Sequence, residues 1–552
     1  MRYFTIRKQT LFPSYTISVK EQEKLDRYLL VLEKSNVAEV LSSVKSDPIF
    51  LKGRPQLNRY DMFATILYGF AFGSCSLRDL ESSCRNDLRY IYLMQGVVPT
   101  HAAFGQYINE FILPHTNILF KAVTTAILKE CGIEPDVVFV DGTKIEANAN
   151  KYKFVWKPTK YHERLCGKVR SLLLSHGLDR GIPKVGVFPS LLIAEKLTKF
   201  AEIVSGSSEE DKKKHEQQYL QLQAYLEKSL EYEEEERICG PNRNSYYKTD
   251  HDATAMTLKT DYYSGLASNM HAAHHVQIAV TKGFACAFYA SQSRTDFSGF
   301  IPLLENYHFI FNAYPRAVCA DSGYGNLENY RFLSEKSIEN YVKHQSWEGN
   351  VSGRNPERYT LNEDGTIICL NGYQGKIVEL KDRHPKKAGS IFYKIDGCNQ
   401  CSFSIYCKRW QKQKDDNYKI FEVDPELRRF IQQAEANLLS PNGIVMRVNR
   451  SAQVEGSFGV LKQNMDYTRF RRRSLSKIQM EYMLTFLGYN IRKLYRFFDN
   501  NLKTDYWKAP EHLLSEQRKK PSAKRLANKI NKTSSLSANE SARDSYKNKY
   551  RV

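Results

Sequence analysis

Three acids occupy positions from which metal-dependent chemistry could be done. Asp141 follows the apolar run of "VVFVDGTKIEANAN" (137–150), Asp321 follows that of "PRAVCADSGYG" (315–325), and Glu455 sits in the helical pattern "SAQVEGSFGVLKQNM" (451–465). A pair of divalent ions about 3.5–4 Å apart can activate one oxygen and stabilise another in phosphodiester chemistry, provided several carboxylates converge at one end of a sheet. Hard carboxylate oxygens suit Mg²⁺ or Mn²⁺. Taken singly, an aspartate after a strand is more often a turn or cap residue, and spacing along the chain does not establish convergence. Glu146, Asp250, Asp252 and Asp296 are further acids that could stand near such a site, although Asp296 also fits as the cap of the helix "FSGFIPLLENY".

Sulfur and imidazole groups form a second constellation. Cys398 and Cys401 make a C-x₂-C pair, Cys407 follows closely and Cys369 precedes, a set that could hold a structural Zn²⁺ or could be free buried thiols. His271, His274 and His275 are read as strand histidines in preference to a zinc cluster.

These residues need a frame to bring them together. β-branched and aromatic residues predict a strand from 137 with a turn at Gly142, and a hairpin of "HHVQIAVTKG" and "FACAFYASQS" about Lys282-Gly283. A strand reaching Asp321 follows, then the helix "NLENYRFLSEK" and the strand "IENYVKH", an order that indicates a mixed α/β sheet. Upstream, the pattern is helical from Tyr60, with new starts at Ser76, three residues before Asp79, and at Thr100. Short helices in a basic protein fit either a helix-turn-helix-like DNA-binding domain or plain helical packing. Within the polar excursion 155–250, Tyr219, Leu222, Leu226 and Leu230 predict a long amphipathic helix. The segment "KIQMEYMLTFLGYNIRKLYRFF" predicts a last helix, and the Lys-, Arg-, Ser- and Asn-rich end from about Glu516 is expected to be a disordered tail.

The chain of 552 residues carries 81 Lys and Arg against 61 Asp and Glu, a net charge of +20. In a soluble protein that excess points to a polyanionic partner such as nucleic acid. No run of roughly 18 uncharged apolar residues and no apolar signal core at the N-terminus are found, which predicts an intracellular protein. Eleven cysteines over this length do not resemble a secreted disulfide framework.

The segments "DPIFLKGRPQLNRYDMFATILYGFAFGSCSLRDLESSCRNDLRYIYLMQGVVPTHAAFGQYINEF", "VFVDGTKIEANANKYKFVWKP", "ADSGYGNLENYRFLSEKSIENYVKH" and "QVEGSFGVLKQNMDYTRFRRRSLSKIQ" resemble, in that order, the DDE transposases of bacterial insertion sequences. The likeness spans roughly residues 45–495. It implies a ribonuclease-H-like core similar to that of retroviral integrases, with Asp141, Asp321 and Glu455 as first, second and third acid and two Mg²⁺ or Mn²⁺ ions as cofactors. The implied activity is cleavage at terminal inverted repeats and strand transfer of the 3′-hydroxyl ends into target DNA. DNA is the implied partner, with a homodimer or larger assembly when two ends are synapsed, no membrane, and a cytoplasmic, nucleoid-associated location. Lys462, on the same helix face as Glu455 and about two turns on, could reach a DNA phosphate. Arg469, Arg471, Arg472 and Arg473 around Phe470 either extend that DNA-binding surface or form a solvated basic loop. One departure is visible: relatives often carry Tyr and Arg seven and four residues before the Glu, where this chain has Val448 and Ser451, with Arg447 and Arg450 nearby.

The expected organisation is a helical, helix-turn-helix-like DNA-binding domain at 1–130, then a ribonuclease-H-like α/β core. That core is expected at 131–154, 251–344 and 441–500, interrupted by a helical insertion at 155–250 and a cysteine-containing insertion at 345–440, with a basic tail at 501–552. Two other functions stay open: a transposase-derived DNA-binding protein without catalysis, and a metal-dependent nuclease lacking strand transfer.

Overall fold

The computed structural model describes residues 17–42, 57–73, 76–241, 243–258, 270–347, 358–379, 389–408 and 416–503. Residues 1–16 and the tail expected from about Glu516 lie outside the described residues.

A mixed sheet of six strands forms the centre: β1 (Val137–Glu146), β2 (Thr254–Thr257), β3 (Met270–Thr281), β4 (Phe284–Ser291), β5 (Ala317–Gly325) and β6 (Glu339–His344). β1 is antiparallel to β3 on one side and parallel to β5 on the other, and β5 is parallel to β6. β3 also pairs antiparallel with β2 and β4. Its hairpin with β4 turns where predicted, because Lys282 and Gly283 take φ of 43° and 81°, the left-handed pair that a tight two-residue turn demands. The parallel step from β5 to β6 is made by the helix Leu327–Glu335, whose first turn is capped by Asn326.

β1 departs from expectation. There is no turn at Gly142, and the strand continues unbroken for 10 residues because β3 pairs with it from Phe139 to Glu146. Gly142 is required for space: a Cβ there would stand 2.8 Å from His275 Nε2 and 2.9 Å from Asp296 Oδ1. Asp141 therefore lies in mid-strand.

Ser76 and Thr100 cap the helices Leu77–Asn86 and His101–Tyr107 as predicted, accepting from Asp79 N at 3.1 Å and Ala103 N at 3.2 Å. The helix Arg59–Phe72 is buried from Met62 to Ala71. The long helix Leu475–Phe498 packs against it, against Thr116–Glu130 and against β4, so the N-terminal helices and the sheet share one hydrophobic core. The approach is close: a Cβ on Gly488 would stand 2.7 Å from the carbonyl carbon of Phe70. The helical run His101–Glu130 has the length and composition of a membrane span. It is interrupted by a π turn at Ile108–Ile112 and a 3₁₀ turn at Leu113–His115, and its Leu119, Phe120, Val123 and Ile127 are packed in this core.

Two modules interrupt the sheet. Helices Pro158–Leu174, Ser190–Ser205 and Glu209–Cys239 pack together about Val169, Ile193, Phe200 and Leu222; the last of the three is the predicted long helix, which packs through Tyr219, Leu222 and Leu226 but leaves Leu230 exposed. After β6 comes an antiparallel sheet of strands Tyr359–Leu361, Ile367–Cys369, Gln374–Ile377, Ile391–Asp396 and Tyr418–Val423, with a small core of its own. The following helix, Pro425–Leu439, returns to the main core through Phe430 and Leu438 and lies against β6.

Candidate active site

β1 and β5 are in parallel register up to Val140 opposite Ala320, which makes Asp141 and Asp321 the next residues on neighbouring strands. Alternation along β1 turns Asp141 and Thr143 to one face and Gly142 and Lys144 to the other. The helix Pro441–Arg450 crosses β5, where Cys319 Sγ reaches the Met446 carbonyl at 3.6 Å, and runs on into a π turn, Ser451–Glu455. Gln453 and Ser457 anchor that turn: Gln453 Oε1 accepts from Gly283 N at 3.0 Å, and Ser457 pairs with the Tyr489 hydroxyl at 2.8 Å.

Arg450 is the residue about which the acids gather. Its Nη1 donates to Asp141 Oδ2 at 3.0 Å, and its Nη2 stands 3.7 Å from Glu455 Oε1. Lys343, on β6, stands 3.7 Å from Asp321 Oδ1. Burial pushes the Asp141 carboxyl above its ordinary value, and Asp321 and Asp296 push the same way against Arg450 and the Gly142 amide. Burial alone would lower Arg450, but Asp141, Asp321 and Glu455 outweigh it and hold the guanidinium above its usual range. The sequence departure now has a cause. A π turn pairs residues five apart instead of four, so an Arg five residues before the Glu reaches the face that one four residues before it would take in an α-helix.

Residues 368–495, which include Arg450, Glu455 and most of the long helix, match the family described as "Transposase DDE domain". That match supports a DDE transposase. No curated protein and no solved structure matches the chain. Asp141 and Asp321 lie outside the matched segment, and β1 and β5 carry them to it.

The donor set fits a hard divalent cation: three carboxylates from separate segments, whose like charges call for a counter-cation. Among the described residues no three His, Cys, Asp or Glu side chains already stand in metal-holding geometry; Arg450, between Asp141 and Glu455, supplies the opposing charge. Lys462 reaches the same face of β1, donating to Thr143 Oγ1 at 2.7 Å.

On the other face is a polar niche that sequence reasoning missed. Asp296 makes no side-chain cap bond; it pairs with the buried His275, Nε2 to Oδ1, at 2.9 Å. Gly142 and Gly323 make room for it, since a Cβ on Gly323 would stand 2.7 Å from Asp296 Oδ2. The buried Tyr324 hydroxyl points at the Gly142 position and has no hydrogen-bond partner among the described residues. The available signal was a glycine just beyond each of the two aspartates.

The remaining candidates separate by what they touch. Glu146 ties the end of β1 to the segment around Arg469, 3.7 Å away, and its carbonyl accepts from Phe470 N at 2.9 Å. Asp252 and Asp250 accept from the backbone at the start of the long helix, from Leu475 N at 2.8 Å and Ser474 N at 3.2 Å. His274 pairs with Asp250 at 3.3 Å and His275 with Asp296, so neighbouring histidines turn to opposite faces and form no cluster. The arginine run is not uniformly outward. Phe470 is buried, and Arg472 is turned inward because its own amide and that of Arg471 bond the buried Glu481, which also faces the Arg472 guanidinium at 3.9 Å. Arg469, Arg471 and Arg473 remain exposed. Cys369, Cys398, Cys401 and Cys407 all line one small cavity in the second sheet.

Proposed function

We propose that this transposase cuts the terminal inverted repeats of an insertion sequence and joins the freed 3′-hydroxyl ends to target DNA. The observation that carries the reading is that Arg450 bridges Asp141 and Glu455, while Asp321, beside Lys343, follows the residue paired with the one before Asp141 on the neighbouring strand. The mixed sheet, with two of the acids on adjacent parallel strands, supports a ribonuclease-H-like frame. A pair of Mg²⁺ or Mn²⁺ ions held by the three carboxylates would activate the attacking oxygen and stabilise the leaving one. The chain itself orients the DNA. Arg450 and Lys462 are the cations within reach of a phosphate laid across β1, and Arg469, Arg471 and Arg473 extend the basic surface beyond it. The outward faces of Leu77–Asn86 and His101–Tyr107 are the proposed readers of the repeats. Synapsis of two ends needs at least a dimer on DNA.

The test incubates the full chain with labelled element ends, a target plasmid and Mg²⁺ or Mn²⁺. Joined products are expected, and Asp141→Ala should reduce them on the order of a thousandfold, the worth of several kcal/mol of metal-assisted stabilisation. Cutting without joining would make the protein a nuclease, and binding alone a non-catalytic DNA-binding relative. Either result would overturn the proposal.

A further inference from the structure

We propose that Cys369, Cys398, Cys401 and Cys407 form a structural zinc site that staples the five-stranded module between β6 and the helix Pro425–Leu439. The four thiols come from two separate places in the sheet. Cys369 ends the strand Ile367–Cys369 at a tight turn, where Gly372 N donates to its carbonyl at 2.9 Å. Cys398, Cys401 and Cys407 belong to the connection between Ile391–Asp396 and Tyr418–Val423, where Cys401 N donates to the Cys398 carbonyl at 3.3 Å and Cys407 closes the helical turn Ser404–Cys407. All four line the same small cavity, and all four are free thiols.

Charge supplies an independent reason. Lys408 and Lys419 line that cavity too, Lys408 being only 4 % exposed, and Arg358 Nη1 donates to the Cys407 carbonyl at 3.2 Å. Zinc held by four thiolates carries net negative charge, which cations at this place would offset. Size supplies another. The module's own core is Ile367, Tyr393, Ile395, Phe421 and Val423, too little apolar surface to hold five short strands without a staple. Among the described residues no three ligand side chains yet stand in metal-holding geometry. Neutral thiols do not attract one another, and zinc would draw the thiolates to about 2.3 Å. Because Tyr418–Val423 passes through Asp424 directly into Pro425–Leu439, the staple also steadies the chain leading to Arg450.

Elemental analysis of the full chain, purified without chelator, should find about one zinc ion per chain, and cobalt substitution should give a thiolate-to-metal charge-transfer band. The double variant Cys398→Ser/Cys401→Ser should hold less than about a tenth as much zinc. A variant that fails to fold would lose metal for that reason alone, so the natural chain supplies a second reading. Mass-spectrometric mapping of alkylation should find the four cysteines protected until a zinc chelator is added. Zinc near zero in the natural chain, zinc retained by the double variant, or alkylation of the four cysteines unaffected by chelator would each overturn the proposal.

Discussion

Arg450 does at the residue scale what no acid in the cluster can do for itself. It is buried, it bridges Asp141 and Glu455, and it keeps like charges from facing one another undiluted. Arg450→Ala should therefore cost about 2–3 kcal/mol. Mn²⁺ should raise the melting temperature of this variant more than that of the natural chain, because the ion takes over the lost countercharge. Thermal melts in metal-free and Mn²⁺ buffers decide it; a variant as stable as the natural protein without metal would end the argument. The niche behind β1 makes a sharper prediction. The three nearest atoms to a Cβ on Gly323 all belong to Asp296, whereas one on Gly142 also meets His275 and Tyr324. Gly323→Ala and Gly142→Ala should each destabilise by about 1–3 kcal/mol through overpacking. In an Asp296→Ala background the first substitution should cost little and the second should still cost most of its loss, as a double-mutant cycle by denaturant unfolding would read.

At the scale of elements, the long helix Leu475–Phe498 carries a charge it would be better without. Burial first, and then the neighbouring Arg496, bring Lys493 down to about 8. An unfolded lysine titrates near 10.4, so between about 8 and 10.4 the unfolded chain binds more protons and stability rises with pH. Below that window the folded state carries the full cost of a charged, half-buried ammonium. Lys493→Met is expected to stabilise the protein at pH 7 by about 1 kcal/mol, allowing for solvent screening, and to give no gain near pH 10.5. Equal gains at both pH values would show that packing, not charge, is responsible. Elements also differ in how far the sequence announces them. Caps at Ser76 and Thr100 and the turn at Lys282-Gly283 depend on residues within a few positions of one another. The π turn at Ser451–Glu455 does not, because five residues are too few to separate its period from that of an α-helix.

For the whole molecule, the N-terminal helices and the sheet share one hydrophobic core. Gly488 marks the closest crossing, and what its side chain would strike is the Phe70 backbone, which cannot rotate away. Gly488→Ala should therefore destabilise by about 2–3 kcal/mol, and the N-terminal helices and the sheet should lose hydrogen-exchange protection in the same transition. Separate transitions in the natural protein would contradict a shared core.

The chain by itself determined the strands on either side of Lys282-Gly283, the helix after β5 and the long helix of the insertion. All follow from local periodicity or turn conformation. Only the tertiary structure decided that β1 runs straight through Gly142, that Asp296 serves His275 instead of a helix end, that Arg472 turns in to Glu481, and that Arg450 stands between two of the acids. The reason is the distance along the chain: Asp141 and Arg450 are 309 residues apart, and their meeting depends on strand register and helix packing set across the whole core.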